Sequence, residues 1–160
     1  MAVVGFILPG RIKVFIVTTL SSVTAPSAAE INAGVEITPA VRLAPEAPRT
    51  GNFADDSDIS DRVNKQARGT IDLGAYTFQL KRTLVTETEY NAVVEGDSRF
   101  IVELRKGTAG ASPASGDVAD VYTIDVHTKA PGVPGREEVD FSTVACANTA
   151  APAYDSVLAA

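Results

Sequence analysis

The stretch that decides the fold is residues 69–106, which read GTIDLGAYTFQLKRTLVTETEYNAVVEGDSRFIVELRK. Apolar and polar residues alternate at both ends of this stretch, which predicts two strands. Between them, Thr86 and Glu89 have the spacing of a capping box, in which each side chain bonds the other's backbone N–H, and Gly96 suits the end of the helix. Because a helix of about ten residues is not stable alone in water, the stretch predicts a short helix lying on a β-sheet.

Finer features of this stretch follow from its spacing. Val85 and Tyr90 are placed to form a hydrophobic staple across the start of the helix. The alternation changes phase at residues 74–75, which indicates a β-bulge, since a one-residue slip would turn the apolar side chains to the wrong face. In the second strand the pattern turns Phe100, Val102 and Leu104 inward, and Arg99, Ile101, Glu103 and Arg105 outward.

The rest of the chain adds further strands. The predicted strand 12–20 is apolar on both faces, so it is buried on both sides or buried against another molecule. Ser27 and Glu30 form a second capping box that opens a turn or two of helix. A strand at 35–43 contains a proline, which is typical of an edge or a bulge. Two later strands turn Tyr122, Ile124, Val126, Val139 and Phe141 inward, and Thr123, Asp125, His127, Lys129, Glu138, Asp140 and Ser142 outward.

Two stretches lack such a pattern. Residues 44–68 form a long connection that is acidic in its first half and basic in its second. Loops of this length are usually functional or disordered, so this one is either a mobile loop or an arm that reaches a neighbour. An alanine-rich tail follows residue 147, and it would fray unless something holds it.

The pattern as a whole predicts a mainly β fold, a β-sandwich or barrel with one short α-helix packed on it. The chain has 160 residues, so a single domain is expected. That domain spans residues 1–160, with an N-terminal arm at 1–11, the inter-strand arm at 44–68 and a C-terminal arm at 147–160.

Composition narrows the possible functions. The net charge of −6 argues against a nucleic-acid-binding surface, which would show clustered Lys and Arg. No apolar run approaches the roughly 20 residues of a transmembrane helix. Residues 1–29 contain a basic, an apolar and a small-residue segment in the order of a secretory signal, which leaves open a mature chain that starts near Glu30.

Little in the sequence indicates catalysis or metal binding. A Cys–His nucleophile pair would have to use Cys146 and His127, but His127 is predicted on an outward face, where a surface histidine is expected. The run that starts at Asp56 resembles a calcium loop, yet Asp61 and Ala67 stand where an EF-hand needs Gly and Glu. We therefore expect no enzyme activity, no cofactor and no metal.

Three segments carry a resemblance to a known family: AEINAGVEIT at 29–38, YTFQLKR at 76–82 and the tail at 154–160. They resemble the major tail tube protein of long-tailed (siphovirus-type) bacteriophages, particularly those of phages that infect actinobacteria. The resemblance implies a β-sandwich tube fold, shared with the inner-tube proteins of type VI secretion.

The resemblance also implies an assembly. Six copies would form a ring, rings would stack into a hollow tube through which DNA is ejected into the host, and long loops and terminal arms would join the rings. Partners would be further copies of the chain, a tape measure protein and a tail terminator. The protein would be part of the virion tail, assembled in the host cytoplasm, without a contractile sheath and without contact with a membrane.

Particular residues are implicated by this resemblance. The following would lie at subunit or ring interfaces: Phe15, Val17, Arg49, Asp55, Asp56, Asp58, Arg62, Lys65, Arg68, Tyr154, Val157 and Leu158. An acidic lumen would let DNA slide without specific binding, because it repels phosphates. Either Asp125 or the row of Glu138 and Asp140 would supply that acidic wall.

Two other functions remain open on the sequence. If residues 1–29 are a signal peptide, the chain is a secreted β-sandwich binding module and a monomer. The chain is otherwise another virion part, such as a tail terminator or a head decoration protein.

Overall fold

The computed structural model describes residues 12–46, 48–55, 66–105, 111–133 and 139–160, with the backbone alone described at 43–46, 53–55 and 66–69. The strands are β1 (Lys13–Val17), β2 (Val35–Glu36), β3 (Val41–Glu46), β4 (Arg49–Asp55), β5 (Gln66–Leu73), β6 (Tyr76–Lys81), β7 (Ser98–Leu104), β8 (Val118–Pro131), β9 (Phe141–Asn148) and β10 (Ala153–Val157). The helices are α1 (Ala28–Asn32) and α2 (Glu87–Ala92), with a 3-10 turn at Thr38–Ala40.

One antiparallel sheet forms the body of the molecule, in the order β2-β1-β7-β8-β9-β6-β3. The long strand β8 organises it: the first half of β8 pairs with β7 and the second half with β9, while β10 pairs with the start of β8. Strands β4 and β5 form a separate two-stranded sheet. The mainly β prediction is therefore confirmed, and the described residues contain two short α-helices.

Each face of this sheet carries a core. The first core lies on the face packed against α2 and the 3-10 turn, and it contains Tyr76, Phe78, Ile101 and Tyr122 among its largest members. The second core lies on the other face, and it joins α1 to the sheet through Phe15, Val17, Ile31, Val102, Leu104, Ala119, Val121 and Leu158. Two cores explain why β1 and β7 are apolar on both faces.

Strand β1 is buried on both faces within the chain itself. Val14 and Ile16 belong to the first core, and Phe15 and Val17 to the second. The prediction that Phe15 and Val17 are buried between subunits is therefore wrong, because the chain's own second core already covers them. A signal peptide spanning residues 1–29 does not fit this fold either, since its removal would take away β1.

The capping box at the start of α1 is confirmed. The Glu30 N–H donates to Ser27 Oγ at 3.2 Å, and the Ser27 N–H donates to Glu30 Oε2 at 3.0 Å. Glu30 Oε1 also accepts from the Ser21 N–H at 2.8 Å. These backbone bonds, that of Ser27 first, lower the pKa of Glu30 to about 2.

Replacing Glu30 by glutamine should destabilise the protein at pH 7 and have little effect near pH 2. A carboxylate with a lowered folded-state pKa stabilises the fold above its unfolded pKa, near 4.5, and that stabilisation is lost as the pH falls to about 2. Urea unfolding of both proteins at pH 7 and pH 2.5 measures this, with Glu95→Gln on the exposed turn after α2 as the control. Equal losses for Glu30→Gln at both pH values would contradict the assignment.

The predicted capping box of Thr86 and Glu89 does not form. Thr86 Oγ1 accepts from the Thr83 N–H at 3.1 Å, and the Thr86 N–H donates to Thr83 Oγ1 at 3.1 Å, so these two threonines satisfy each other. The Thr86 N–H is therefore already bonded and does not bond Glu89. One carboxylate oxygen of Glu89 is buried without a hydrogen-bond partner among the described residues. The predicted staple is wrong as well, because Val85 is 87% exposed.

Helix α2 also ends earlier than predicted. It stops at Ala92, and Gly96 lies in the following turn with φ +86°, where its N–H bonds the Val126 carbonyl. Lys129 closes the end of the helix, because its Nζ donates to the carbonyls of Tyr90 and Val93. None of the helices in the described part of the chain is long and apolar enough to span a membrane.

In four places the structure differs from the predicted alternation of inward and outward side chains, because pairing with distant strands sets the phase. The phase change at 74–75 is a break between two sheets, not a bulge. A bulge falls instead between Val126 and Thr128, and it turns Lys129 towards α2. Strand β9 begins at Phe141 and buries Ser142, which leaves Val139 exposed. In β7, Ile101 and Glu103 are buried in spite of their predicted outward phase.

The stretches that lacked a pattern are structured where they are described. The predicted connection 44–68 includes the end of β3, all of β4 and the start of β5, while the predicted N-terminal arm 1–11 lies outside the described residues. The predicted C-terminal arm is docked on its own chain. Besides the pairing of β10 with β8, the Ala28 N–H donates to the Ala159 carbonyl at 3.1 Å, and the Ala159 N–H to the Pro26 carbonyl at 2.9 Å.

Candidate assembly surfaces

A buried polar cluster lies where β7 and β8 pair near the first core. Glu103 and Asp120 face each other in the register of these strands. Arg105 bonds both carboxylates, with its Nη2 2.8 Å from Glu103 Oε2 and its Nε 2.7 Å from Asp120 Oδ2. Tyr76 Oη donates to Glu103 Oε1 at 2.6 Å, and the Asp155 N–H donates to Asp120 Oδ1 at 2.9 Å. The cluster thus ties β6, β7, β8 and β10 together.

Burial dominates the electrostatics of this cluster. It raises the pKa of Glu103, against the opposing effects of the Tyr76 hydrogen bond and the Arg105 charge. Burial, with the nearby Glu103 charge second, also raises the pKa of Tyr76 well above its ordinary value. Tyr76 therefore remains a neutral hydrogen-bond donor, and the role of the cluster is to hold strands in place.

The β4–β5 hairpin leaves the main sheet through a tight base. The Gly74 N–H donates to the Pro48 carbonyl at 2.8 Å, and Asn148 Nδ2 donates to the Gly74 carbonyl at 2.7 Å. A Cβ atom at position 74 would stand 2.6 Å from Pro48 Cγ, so this close approach requires glycine. On the other strand of the base, the Arg49 guanidinium carbon lies 5.0 Å from the centre of the Tyr154 ring.

Beyond this base the hairpin forms a sheet of its own. Its strands are joined by ladder bonds and by Asn52 Nδ2, which donates to Asp72 Oδ2 at 2.8 Å. An isolated two-stranded hairpin is marginally stable in water, and its outer edges present unpaired backbone groups. The hairpin is therefore a surface that further contacts would stabilise.

An exposed apolar surface lies at the far end of β6. We call it the Leu84–Val85 surface: Leu84 is 96% exposed, Val85 is 87% exposed, and the exposed Val139 is close by. The Arg82 N–H donates to the Asp140 carbonyl at 2.7 Å, which holds the two segments together. Since β6 starts beside the hairpin base and ends before this surface, the hairpin and the Leu84–Val85 surface lie at opposite ends of β6.

A third surface carries small side chains. We call it the small-residue face: it lies on the side of β6, β9 and the middle of β8 that faces away from the first core. Its members are half-buried or exposed, and they are Thr77, Gln79, Thr123, Asp125, Thr143, Ala145 and Ala147. None of these seven residues is cationic, and Asp125 is the acidic one. Lys81, the next residue on this side of β6, lies opposite Phe141 at the edge of the face.

Comparison with known proteins identifies the family. A family model described as "Phage tail tube protein" matches residues 1–160. The chain belongs to the phage tail tube protein family. Tail tube proteins are structural components of the phage virion, which confirms the function predicted from the sequence. The family gives this tail tube protein a structural role.

A solved structure shares the fold. The tail tube protein resembles a chain of the anti-feeding prophage (AFP) baseplate, known from a 6-fold symmetrised cryo-EM structure, with a TM-score of 0.53 and 10% identity over 89% of this chain and 91% of that chain. A weaker similarity is to an Hcp protein known from a crystal structure, with a TM-score of 0.42 and 9% identity over 90% and 98% of the two chains. No curated protein matches the sequence.

Apart from Phe15 and Val17, the predicted interface residues of the tail tube protein fall into four groups. Leu158 is 2% exposed and belongs to the second core, so its predicted place at an interface is wrong. Arg49, Tyr154 and Val157 are exposed. Asp55 and Arg68 lie on β4 and β5 with only their backbone described, and the remaining four lie outside the described residues: Asp56, Asp58, Arg62 and Lys65.

The predicted lumen residues do not form one row. Asp125 lies on the small-residue face and accepts from Ser98 Oγ. Asp140 lies beside the Leu84–Val85 surface, and Glu138 is outside the described residues. The fold therefore separates Asp125 from Asp140, and of these two described residues Asp125 is the one on a sheet face.

The sequence analysis weighed Cys146 and His127 for catalysis and the run that starts at Asp56 for calcium binding. Cys146 is buried in the first core, and burial raises the pKa of its thiol to about 12, which keeps it protonated. His127 is exposed, as predicted. The calcium-like run that starts at Asp56 lies outside the described residues.

The buried polar cluster was missed by the sequence analysis of this tail tube protein. Glu103 and Asp120 each stand in an otherwise apolar run, IVEL and VADVY. A lone acidic residue in a strand buried on both faces must find a partner, because an unpaired buried charge is costly. That signal was available, but recognising it required knowing that both faces of β7 are covered.

Proposed function

We propose that six copies of this tail tube protein form a ring, and that rings stack head to tail into a hollow tube through which DNA is ejected into the host. The observation that carries the proposal is that two surfaces suited to further contacts lie at opposite ends of β6. They are the hairpin, with its unpaired edges, and the Leu84–Val85 surface, with its exposed apolar side chains. The number six is supported by the related fold in the 6-fold symmetrised baseplate.

Head-to-tail stacking needs two different surfaces that fit each other and lie at opposite ends of the subunit. The β4–β5 hairpin supplies a projecting element at one end. The Leu84–Val85 surface supplies apolar side chains at the other, and exposed apolar patches usually mark an interaction site. In the proposed tube, the hairpin of one ring packs on the Leu84–Val85 surface of the next.

The small-residue face is the proposed wall of the lumen. Clustered Lys or Arg would bind DNA phosphates and release counterions, giving affinity that depends on salt. The face consists of threonine, alanine and glutamine side chains with one aspartate, and Lys81 at its edge is a single cation and not a cluster. DNA would therefore slide past it, and Asp125 would supply the repulsion for which an acidic lumen was predicted.

The proposed partners follow from this role. A tube of defined length needs one component that sets its length and one that ends it, so we extend the proposal to a tape measure protein and a tail terminator. We further propose a siphovirus-type tail without a contractile sheath, assembled in the host cytoplasm, as the sequence resemblance implies.

Replacing Leu84 and Val85 together by serine should abolish stacking and leave folding intact. Both side chains are almost fully exposed, so the free energy of unfolding should change by less than about 0.5 kcal/mol. Burying a Leu or Val side chain contributes about 1.5–3 kcal/mol, so the concentration needed for assembly should rise at least about tenfold. Negative-stain microscopy and sedimentation of a concentration series measure this.

The matched control is Val94→Ser, an exposed valine in the turn after α2. It should assemble like the unaltered protein. If the Leu84→Ser/Val85→Ser variant formed tubes at unaltered concentrations, the Leu84–Val85 surface would have no part in stacking.

A further inference from the structure

Two side-chain contacts described at the base of the β4–β5 hairpin join it to the main sheet. On the β5 side, Asn148 at the end of β9 donates to the Gly74 carbonyl. On the β4 side, Arg49 lies over the ring of Tyr154 in β10. The bond between the Gly74 N–H and the Pro48 carbonyl closes the base, but it joins the hairpin only to itself.

These two contacts have different consequences for the direction of the hairpin. The chain enters the hairpin from β3 and leaves it into β6, and these links and the Asn148–Gly74 bond all hold it at its base, about which it would remain free to swing. The Arg49–Tyr154 contact adds a second point on another strand, and two separate points fix a direction. The direction of the hairpin therefore depends on the placement of β10.

The ring of Tyr154 is firmly held on its inner side. It meets Tyr122 edge to face, with ring centres 6.0 Å apart, and Tyr122 in turn lies 4.7 Å from Tyr76 of the first core. The next residue, Asp155, is fixed by its N–H bond to Asp120 and adopts a left-handed φ of +51°. Tyr154 nevertheless remains 38% exposed, which leaves a ring surface for Arg49.

We propose that Arg49 and Tyr154 are positioning residues that set the direction of the β4–β5 hairpin. The C-terminal strand β10 thereby determines where the hairpin points. The consequence for assembly rests on the proposed function, in which this hairpin reaches the next ring. The inter-strand arm and the C-terminal tail thereby act as one unit: β10 is docked on its own chain and holds the base of the arm.

Distance measurements between spin labels test the proposal in dilute, unassembled protein. Labels are attached at Thr70→Cys on β5 and Thr143→Cys on β9, which are both exposed, while Cys146 is buried and stays unlabelled. Arg49→Leu and Tyr154→Leu should each broaden the distance distribution. Amide exchange in β4 and β5 should become roughly two- to five-fold faster, the factor expected for an exposed cation–π contact.

Two control variants should leave the distribution narrow. Tyr154→Phe keeps the ring and removes only the hydroxyl. Arg42→Leu removes another arginine that stacks on an aromatic ring, 4.4 Å from the centre of Phe141, away from the hairpin base. A distribution unchanged in both Arg49→Leu and Tyr154→Leu would overturn the proposal.

Failure of this proposal is distinguishable from failure of the proposed function. If Arg49→Leu broadens the distribution and tubes still form at unaltered concentrations, the positioning role stands and the hairpin has no part in stacking. If the distribution stays narrow while Leu84→Ser/Val85→Ser still abolishes tubes, stacking stands and the positioning role is refuted.

Discussion

Replacing Arg105 by methionine should lower the free energy of unfolding by about 3 kcal/mol at pH 7. The guanidinium is the cation of two carboxylates whose side chains are only 6% (Glu103) and 11% (Asp120) exposed. Removing one partner of a buried ion pair typically costs about 3–5 kcal/mol, because a buried charge is left uncompensated. We expect the lower end of this range, since the Arg105 side chain is itself 46% exposed.

The loss should shrink as the pH falls. Burial already raises the pKa of Glu103, so in the folded state this carboxyl binds its proton at a higher pH than in the unfolded state, and its contribution to stability falls as the pH rises through that raised pKa. Without Arg105 the pKa rises further, and a protonated carboxyl needs no cation. Urea unfolding at pH 7 and pH 4 measures the difference.

Arg99→Met is the matched control for Arg105→Met. Arg99 pairs with Asp97, and both are more exposed than the two carboxylates of the buried cluster. Its loss should be below about 1 kcal/mol, as for other surface ion pairs. Equal losses for the two variants would show that the Arg105 cluster is not a buried, charge-balanced unit.

Replacing Leu158 by alanine should lower the free energy of unfolding by about 3 kcal/mol. Leu158 is 2% exposed in the second core with Ile31 and Phe15, and Leu→Ala changes at such sites cost about 2–5 kcal/mol. Val157→Ala, one residue earlier and 54% exposed, should change it by less than about 0.5 kcal/mol. Thermal or urea unfolding of the two variants compares them directly.

A small loss for Leu158→Ala would mean that the C-terminal segment is not docked on its own chain. The predicted large loss has a practical consequence. Deleting residues 147–160 would remove β10 and part of the second core, so it would unfold the protein and could not be used to test stacking alone.

Capping boxes predicted from sequence spacing formed where no other group competed for the same backbone N–H. The Ser27–Glu30 box formed as spaced. The equally spaced Thr86–Glu89 pair did not, because Thr83 satisfies the Thr86 N–H first. Sequence spacing therefore predicts a cap only when the residues before it leave the cap free.

Features that depend on long-range pairing were not predictable. Period-two alternation assumes an uninterrupted ladder, and the bulge at His127 reversed the phase of Lys129. The two-sided burial of β7 depends on distant parts of the chain: α1 and Leu158 cover the side of Val102 and Leu104, and Tyr76 of β6 lies against Glu103 on the other side. The contact between Arg49 and Tyr154 likewise joins two segments that the sequence presents as separate arms.

The most direct test of the central claim is a cryo-EM reconstruction of the purified protein at high concentration. We predict hollow tubes of stacked 6-fold rings, with the β4–β5 hairpin of each ring on the Leu84–Val85 surface of the next and with Thr143 and Ala147 facing the lumen. The contradicting result would be tubes in which Leu84 and Val85 face solvent, or protein that remains unassembled at every concentration.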